Sequence, residues 1–244
     1  MKYVFGRKPV LEALKTDQEI SQVIISFGQK GDIIDRITSA AKRAGIKVTQ
    51  LSPPKFRALE KGQTSQGVIA VISDYEFSSY DEIINEASKR KNPLILLLDQ
   101  IQDPHNLGAI LRTAECSGVD GVFITTHNSA TINETVEKTS AGAVSHIKVA
   151  MAINLNNTIK DLQKAGFWIV GTSLDTDKSY TEVDYNSPIA LVMGNEEKGI
   201  RRQVAENCDF LVKIPMKGKL QSLNVSVSTG IMLFGINHSR GELS

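Results

Sequence analysis

The sequence contains few cysteines and no long hydrophobic segment, and both absences exclude classes of protein. Its two cysteines, Cys116 and Cys208, are too few for a disulfide framework, so we expect both to be ordinary buried thiols. The longest aliphatic run, residues 94–98, is too short to cross a membrane. Residues 1–17 carry charge throughout and lack an apolar core of signal-peptide length. We therefore expect a cytoplasmic protein with no membrane partner.

Familiar catalytic and metal-binding motifs are also missing. The four histidines are scattered without the spacing of metal ligands, so we expect no metal site. A Ser-His-Asp arrangement and a G-x-S-x-G elbow are both absent. Residues 194–199 have the glycine spacing of a phosphate-binding loop, but Ile200 stands where that loop needs its lysine. This excludes the Walker type of nucleotide hydrolase.

Charge is unevenly distributed along the chain, although the net charge is only +1. Residues 1–73 carry a net charge of +6 and residues 74–244 a net charge of −5. A basic N-terminal third is typical of a nucleic-acid-binding domain. A solvated basic face accounts for the same charge, so charge alone leaves both interpretations open.

The pattern of apolar residues predicts two α/β domains in a chain of 244 residues. Residues 1–73 alternate short helices and strands, residues 74–90 form a linker and a lead-in helix, and residues 91–244 form the second domain. Continuous apolar strands separated by helices predict a parallel sheet covered on both faces in the second domain. Its predicted strands are 94–99, 121–125, 147–149, 168–172, 189–193 and 210–214, and its main helices are 107–117, 155–165 and 223–237.

The stretch "LDQIQDPHNLGAILR" follows the first of these strands. Pro104 and Gly108 are expected to punctuate the turn from strand to helix, with Asn106 as the helix N-cap. Arg112 then lies within the first two turns, from where its guanidinium could reach the carboxyl edge of the sheet. A plain cap and a surface cation are the alternative interpretation of these two residues.

Two later stretches have the same form. In "PIALVMGNEEKGI", a buried strand ends at Gly194 and Glu196 follows on a glycine-flanked turn, where it could orient a polar substrate group or be an exposed acidic turn. In "IPMKGKLQSLNVSVSTGI", Ser222 and Asn224 lie on either side of a helix start, where either is a good cap. That helix is rich in small hydroxyl residues, but its apolar residues leave little of its surface polar, so it should be buried between elements or subunits. Parallel strands would bring all three loops to one edge of the sheet.

The segments "NLGAILR", "LVMGNEEKG" and "IPMKGKLQSLNVSVSTGI" closely resemble the three motifs of the TrmH/SpoU branch of the SPOUT RNA methyltransferases. The likeness covers residues from about 94 to 238. It implies a parallel α/β domain with a deep trefoil knot, S-adenosylmethionine as methyl donor, an obligate homodimer, and methylation of a ribose 2′-hydroxyl in structured RNA.

The resemblance also implies roles for individual residues. Asn106 and Arg112 match the family's catalytic Asn and Arg, Glu196 its supporting acid, and Ser222 and Asn224 the residues that line the substrate side. Arg112 could act as the base or as a phosphate anchor. The expected contacts to S-adenosylmethionine come from Thr172, Ser173, Met193, Gly194, Ile214, Met216 and Leu223.

Residues 1–73 resemble the N-terminal domain of the family's ribosomal-RNA members, which is similar to ribosomal proteins that bind kinked RNA. The segments "FGRKPVLEALK" and "GQTSQGVIAV" carry that likeness. It favours a guanosine of large-subunit (23S) ribosomal RNA as the target. Transfer RNA or an antibiotic-contact site of the ribosome is the nearest alternative, and a non-catalytic RNA-binding assembly factor is an alternative of another class.

Overall fold

The computed structural model describes residues 2–16, 20–44, 46–60, 62–72, 75–196 and 198–243. The chain divides into two compact units, of which the first comprises Met1–Glu76 with Ala130–Asn133. The second comprises Phe77–Ser129 and Glu134–Ser244. Each unit contains its own sheet and its own apolar core.

The first unit is built on a four-stranded mixed sheet. The described elements are β1 (Lys2–Phe5), α1 (Arg7–Ala13), β2 (Ile20–Ser26), α2 (Asp32–Arg43), β3 (Lys47–Leu51), α3 (Pro53–Glu60) and β4 (Val68–Ile72). The strand order is β1-β4-β2-β3, in which β4 runs antiparallel to both neighbours and β3 parallel to β2. As a result, the ends of β1, β2 and β3 and the start of β4 lie at the same edge of this sheet.

The second unit is built on a six-stranded sheet in which every pairing is parallel, as predicted. Its strand order is β10-β8-β9-β5-β6-β7. Its described elements are α4 (Tyr80–Ala87), β5 (Leu94–Asp99), α5 (Pro104–Cys116), β6 (Gly121–Thr125), α6 (Glu134–Thr139), β7 (Val149–Ala152), α7 (Leu155–Lys164), β8 (Trp168–Thr172), β9 (Ile189–Gly194), α8 (Arg202–Ala205), β10 (Phe210–Val212) and α9 (Val225–Ser239), with short 3-10 turns at Ala143–Ser145 and Tyr180–Glu182.

Three predicted strand ranges differ from the structure, and β9 differs only in ending at Gly194, one residue later than expected. The strand expected at 147–149 begins at Val149, because a 3-10 turn precedes it and the Ile147 amide still donates to Ala143. The strand expected to reach residue 214 ends at Val212, because Lys213 pairs with the segment at Ser179 once β8 has ended. The error at β7 arises from a local turn and the error at β10 from a contact between distant segments.

The core of the second unit has two layers of helices on one buried sheet. All six residues of β5 are buried, as expected for a central parallel strand. Helices α4 and α7 pack on the face that carries Ile95 and Leu97, through residues such as Ile83 and Ile159. Helices α5 and α9 pack against each other, and α9 also contacts β9. One side of α9 is buried within this unit, through residues such as Met232, Leu233 and Ile236, while Val227 and Phe234 remain exposed.

Candidate active site

The loops that follow the central strands of the second unit meet at one edge of its sheet. Strands β5, β9, β8 and β10 are adjacent and parallel, so their carboxyl ends lie side by side. Open parallel sheets bind their ligands at this edge. The three sequence motifs start here, and the structure brings residues of all three into one cluster.

A cavity of about 310 Å³, called the first cavity, opens between these loops. Met193, Ile214 and Leu223 give it apolar walls, while Ser173 and Asp175 add polar groups at one end. Its size and mixed lining are those of a small-molecule site. All seven residues expected to contact S-adenosylmethionine line it, and the sequence analysis missed other lining residues, among them Leu174, Asp175, Val212, Lys213, Val225 and Ser228.

Asn106 links the three motifs through its side-chain amide. Its Nδ2 donates to Glu196 Oε1 at 2.6 Å, and its Oδ1 accepts from Asn224 Nδ2 at 3.0 Å. Asn224 is in turn fixed as the N-cap of α9, where its Oδ1 accepts from the amide of Ser226 at 2.9 Å. Each side chain therefore donates to the next, from Asn224 at the start of α9 to Asn106 on α5 and from Asn106 to the carboxylate of Glu196. We call Asn106, Glu196 and Asn224 the amide–carboxylate cluster.

The prediction that Asn106 caps its helix is wrong. Asp103 is the N-cap of α5, accepting from the amide of His105 at 2.8 Å, and Pro104 occupies the first helical turn. Asn106 consequently lies inside the helix, where its side chain is available to Glu196 and Asn224. Gly108 also lies inside α5, not in the turn, and a Cβ there would lie 2.7 Å from Thr139 Cβ. This glycine allows α5 and α6 to pack closely.

Glu196 lies on a loop that is held tightly against the sheet. The fully buried carboxylate of Asp99, the last residue of β5, accepts from the Arg201 backbone amide and from Arg201 Nε, each at 2.8 Å. Asn195 Nδ2 donates to the backbone carbonyl of Gln100 at 3.1 Å. The sequence analysis missed Asp99 and Arg201, although an aspartate at the end of the aliphatic run "LILLL" was a usable signal.

Gly194 makes this loop possible by allowing its backbone to fold back on the strand. A Cβ at Gly194 would lie 2.2 Å from the carbonyl carbon of Gly199. Asn195 and Gly199 close the turn with reciprocal backbone hydrogen bonds of 3.0 and 2.9 Å. The result is a narrow backbone cradle that forms part of the wall of the first cavity.

A second cavity of about 350 Å³ lies beside the first. The two share Asn195, Glu196 and Lys198, and Asn106 lines the second one. The amide–carboxylate cluster is thus next to both cavities. The lining of the second cavity is entirely polar: Gln100, Gln102, Asp103, Asn106, Asn195, Glu196 and Lys198.

Two predicted site residues occupy less constrained positions. Ser222 is exposed and lines the first cavity, while the cap of α9 is Asn224. Arg112 is exposed on α5 and lines neither of these two cavities. It makes no hydrogen bond or ion pair with the residues that the structure describes.

The cysteines play no visible part in the site. Cys116 is exposed at the end of α5, so the prediction of a buried thiol is wrong for it. Its position falls on the solvent side of the last helical turn. Cys208 is partly buried, and burial raises the pKa of its thiol to about 12, with a smaller contribution from Asp209. A thiol that stays protonated is a poor nucleophile.

The described residues contain no cluster of three or more side chains suited to a metal ion. Within the same part of the chain, no helix has the length and apolar character needed to span a bilayer.

Family models match both units of the chain. The model of the SpoU rRNA Methylase family matches residues 93–234. The model named RNA 2'-O ribose methyltransferase substrate binding matches residues 3–78. The fold and the matches define an RNA-modifying methyltransferase with its own substrate-binding unit. The chain belongs to the SpoU rRNA methylase family, whose methyl donor is S-adenosylmethionine.

Similar proteins match over nearly the full chain. A protein of Bacillus subtilis (strain 168) that is assigned to the TrmH family of tRNA/rRNA methyltransferases is 37% identical over 242 residues, which cover 99% of this chain and 97% of the relative. The AdoMet-bound rRNA methyltransferase of Sinorhizobium meliloti is 26% identical with a TM-score of 0.63, over 99% of this chain and 88% of that one. The TrmH/SpoU tRNA modifying enzyme of A. aeolicus is 34% identical with a TM-score of 0.58, over 66% and 82% of the two chains.

Proposed function

We propose that this enzyme transfers a methyl group from S-adenosylmethionine to the ribose 2′-hydroxyl of a guanosine in large-subunit (23S) ribosomal RNA. The observation that carries the proposal is the amide–carboxylate cluster, which touches the first cavity through Glu196 and the second through Asn106 and Glu196. A methyl transfer between two bound substrates needs such a shared wall, because the two reacting atoms must meet there. The ribosomal-RNA assignment rests on the resemblance of residues 1–73 to the N-terminal domain of the family's ribosomal-RNA members, and the match of residues 3–78 to an RNA substrate-binding model is consistent with it.

The first cavity fits S-adenosylmethionine. Met193, Ile214 and Leu223 offer apolar contact to an adenosine, and Ser173 and Asp175 offer hydrogen bonds to polar groups of the donor. Gly194 and Gly199 also line this cavity, where the close turn between them presents backbone rather than side chains to a ligand. We propose that the knot implied by the resemblance forms at this edge of the sheet, where the loops after β8, β9 and β10 meet.

When bound, S-adenosylmethionine supplies a methyl group already activated by its sulfonium. The enzyme's own residues then have to orient the ribose hydroxyl, whose proton is released to water as the methyl group is transferred. Holding both reactants in line is worth roughly 7–11 kcal/mol. We assign that positioning to the amide–carboxylate cluster, in which Glu196 fixes the Asn106 amide and Asn224 fixes its carbonyl.

Arg112 is assigned to the RNA side of the reaction. Arginine side chains stay protonated in proteins, so action as a base is costly and contact with an RNA phosphate suits the charge. The exposed position of Arg112, without a hydrogen bond or ion pair among the described residues, supports the second role. Its proposed function is to anchor a phosphate next to the reacting ribose.

The first unit supports RNA binding by its charge and by one edge of its sheet. Arg7 Nε donates to the carbonyl of Gln66 at 3.0 Å, and Arg7 also donates to the Gln29 side chain, so the loops after β1 and β2 and the loop before β4 are tied together. Phe27 is 69% exposed beside them, and Lys30 lies three residues further on. Exposed aromatic rings among cations are typical of surfaces on which RNA bases stack.

We propose a homodimer that covers the exposed apolar side of α9. Val227 is 50% exposed and Phe234 is 40% exposed, and the two lie seven residues apart on one side of the helix with Ile231 between them. An apolar stripe of this kind is typical of an interaction surface. We place the enzyme in the cytoplasm, where its RNA is found.

A labelled-methyl assay on separated RNAs tests the proposed substrate. Purified enzyme is incubated with methyl-labelled S-adenosylmethionine and, in parallel, with protein-free 23S ribosomal RNA, 16S ribosomal RNA and total transfer RNA. We expect label in the 23S ribosomal RNA. Label confined to transfer RNA would show that transfer RNA is the substrate instead. Label in none of the three RNAs would favour a non-catalytic RNA-binding assembly factor.

A further inference from the structure

The second cavity has a composition that the methyl donor does not explain. Its lining contains side-chain amides from Gln100, Gln102, Asn106 and Asn195, two carboxylates from Asp103 and Glu196, and one cation from Lys198. It therefore offers many hydrogen-bond donors and acceptors, because every side chain that lines it is polar. The donor site is already accounted for by the first cavity, so a different ligand belongs here.

The charges of the lining indicate the chemical class of that ligand. Two carboxylates and a single lysine give the cavity a negative balance, which disfavours a phosphate group. A neutral group with several N–H donors and a carbonyl acceptor suits it far better. Among the nucleobases, guanine presents two adjacent N–H groups on its Watson–Crick edge, matching the two oxygens of one carboxylate, and its carbonyl can accept from an amide or from Lys198.

Two side chains have hydrogen-bonding capacity to spare. Asp103 uses one lone pair of Oδ1 to cap α5, which leaves the other lone pair for a ligand, and its Oδ2 has no hydrogen bond with any described residue. The Gln102 side chain is exposed and likewise makes no bond within the described part of the chain. The cap fixes the Asp103 carboxylate in place, and this gives a rigid acceptor at the cavity wall.

We propose that the second cavity receives the target nucleoside and that Asp103, with Gln102, reads its guanine base. The proposal rests on the proposed function, since it places the base of the methylated residue in the cavity next to Asn106. The ribose then lies at the amide–carboxylate cluster and the base extends toward the start of α5. Asp103 becomes the residue that determines base specificity, and the donor site is left unaffected.

Binding of free nucleosides tests this assignment without relying on catalysis. The full-length protein is saturated with S-adenosylhomocysteine and titrated with guanosine and, separately, with adenosine, while backbone amide shifts are followed by NMR. We expect guanosine to shift the amides of residues 100–106 and to bind at least about 10-fold more tightly than adenosine. Equal binding of the two nucleosides, or shifts confined to other regions, would overturn the assignment.

Asp103→Asn separates base reading from helix capping. Asparagine caps helices as well as aspartate does, so the fold should persist, whereas the carboxylate that accepts both guanine N–H groups is lost. We expect guanosine affinity and kcat/KM for RNA to fall about 10- to 100-fold, with S-adenosylhomocysteine affinity unchanged. Gln102→Ala should lower kcat/KM in the same direction by a smaller factor.

The matched control is Asp81→Asn, which removes an exposed carboxylate from the first turn of α4, away from both cavities. It should leave all these quantities unchanged. If Asp103→Asn behaves like this control, the second cavity does not read guanine. If nucleoside binding follows the prediction but no RNA is methylated, the cavity assignment stands and the proposed function fails.

Discussion

Arg112 is the residue whose position differs most from the rest of the site. It lines neither cavity, yet it follows Asn106 on the same helix and carries an exposed charge. A phosphate anchor has this placement, because it has to reach a ligand that lies outside the folded chain. The amide–carboxylate cluster, by contrast, is complete within one chain.

Replacing Arg112 by alanine should therefore abolish methyl transfer and spare the cofactor. We expect kcat/KM for RNA to fall at least about 100-fold, the usual cost of losing a charge that stabilises the reacting groups. Titration calorimetry should give an unchanged Kd for S-adenosylhomocysteine, since Arg112 does not line the first cavity. Full activity in this variant would remove Arg112 from the reaction.

Sequence reasoning was most successful for residues that lie within a motif. Glu196 and Asn224 were both expected at the site, and the structure brings them together through Asn106. Asp99 and Arg201 were missed because the two are 102 positions apart in sequence, and no local pattern indicates that pairing. The bridging role of Asn106 was missed for the same reason, because its partners are distant in sequence. The residues next to Asn106 suggest a helix cap instead.

At the scale of single elements, the loop that carries Asn195 and Glu196 depends on the hydrogen bonds between Asp99 and Arg201, which we call the clamp. Asp99 is fully buried and receives two hydrogen bonds from Arg201, so the end of β5 and the end of the loop are joined. The loop supplies Glu196 to the cluster and part of the wall of both cavities. Movement of this loop should therefore weaken binding of the methyl donor and misalign the two reactants.

Arg201→Ala tests the clamp. Losing the guanidinium should lower the free energy of unfolding by about 2 kcal/mol, below the 3–5 kcal/mol typical of a fully buried pair, because the Arg201 side chain is 46% exposed. We expect kcat to fall about 10-fold through displacement of Glu196. Chemical unfolding and steady-state kinetics measure both effects.

The neighbouring arginine provides the control for this variant. Arg202 pairs with Glu206 on the surface, where the two side chains are 90% and 56% exposed. Arg202→Ala should change stability by less than about 0.5 kcal/mol and leave kcat unaltered. Equal effects of the two substitutions would show that the Asp99 contact has no special role.

The bounds of a strand or helix were predicted correctly where its own sequence carries a strong signal. Strands β5, β6 and β8 begin and end at the predicted residues, since each contains a distinct apolar run. Helices α5 and α9 start at residues other than those expected, since the caps are Asp103 and Asn224 and several nearby side chains could have served. Strand β1 has only four residues, and its hydrogen bonds come from β4, so its local sequence carries little signal.

At the scale of the whole molecule, buried thiol and phenol groups should lower the free energy of unfolding at alkaline pH. Burial raises the pKa of Cys208 from 9.0 to about 12 and that of Tyr80 from 10.0 to about 12, and it raises the pKa of Tyr185 as well. In the unfolded chain these groups lose their protons first. Their contribution to stability is therefore fully present below about pH 8.5 and is lost progressively as the pH rises toward 12.

Urea unfolding at pH 7.5 and at pH 10 should reveal this loss. We expect a lower free energy of unfolding at pH 10, with a smaller decrease in a Cys208→Ala variant, because alanine has no proton to lose. Cys116→Ala is the control, since that thiol is exposed and its removal should leave the decrease as it is. Identical behaviour of the two variants would argue against a buried thiol as the cause.

The proposed dimer is a second property of the whole molecule. Phe234→Glu places a charge in the apolar stripe of α9, and light scattering should then give the mass of a monomer. Phe27→Glu, on an exposed phenylalanine of the first unit, should remain dimeric while binding RNA more weakly. A Phe234→Glu protein that keeps the mass of a dimer would place the interface elsewhere.

Nucleoside analysis of methylated RNA tests the central claim most directly. Ribosomal RNA is treated with enzyme and S-adenosylmethionine, digested to nucleosides, and examined by mass spectrometry for the position of the new methyl group. The account predicts a 2′-O-methylated guanosine from the native enzyme and a yield reduced about 100-fold with Asn106→Ala, which breaks the amide–carboxylate cluster. A methyl group on the base, or full 2′-O-methylation by the Asn106→Ala variant, would contradict it.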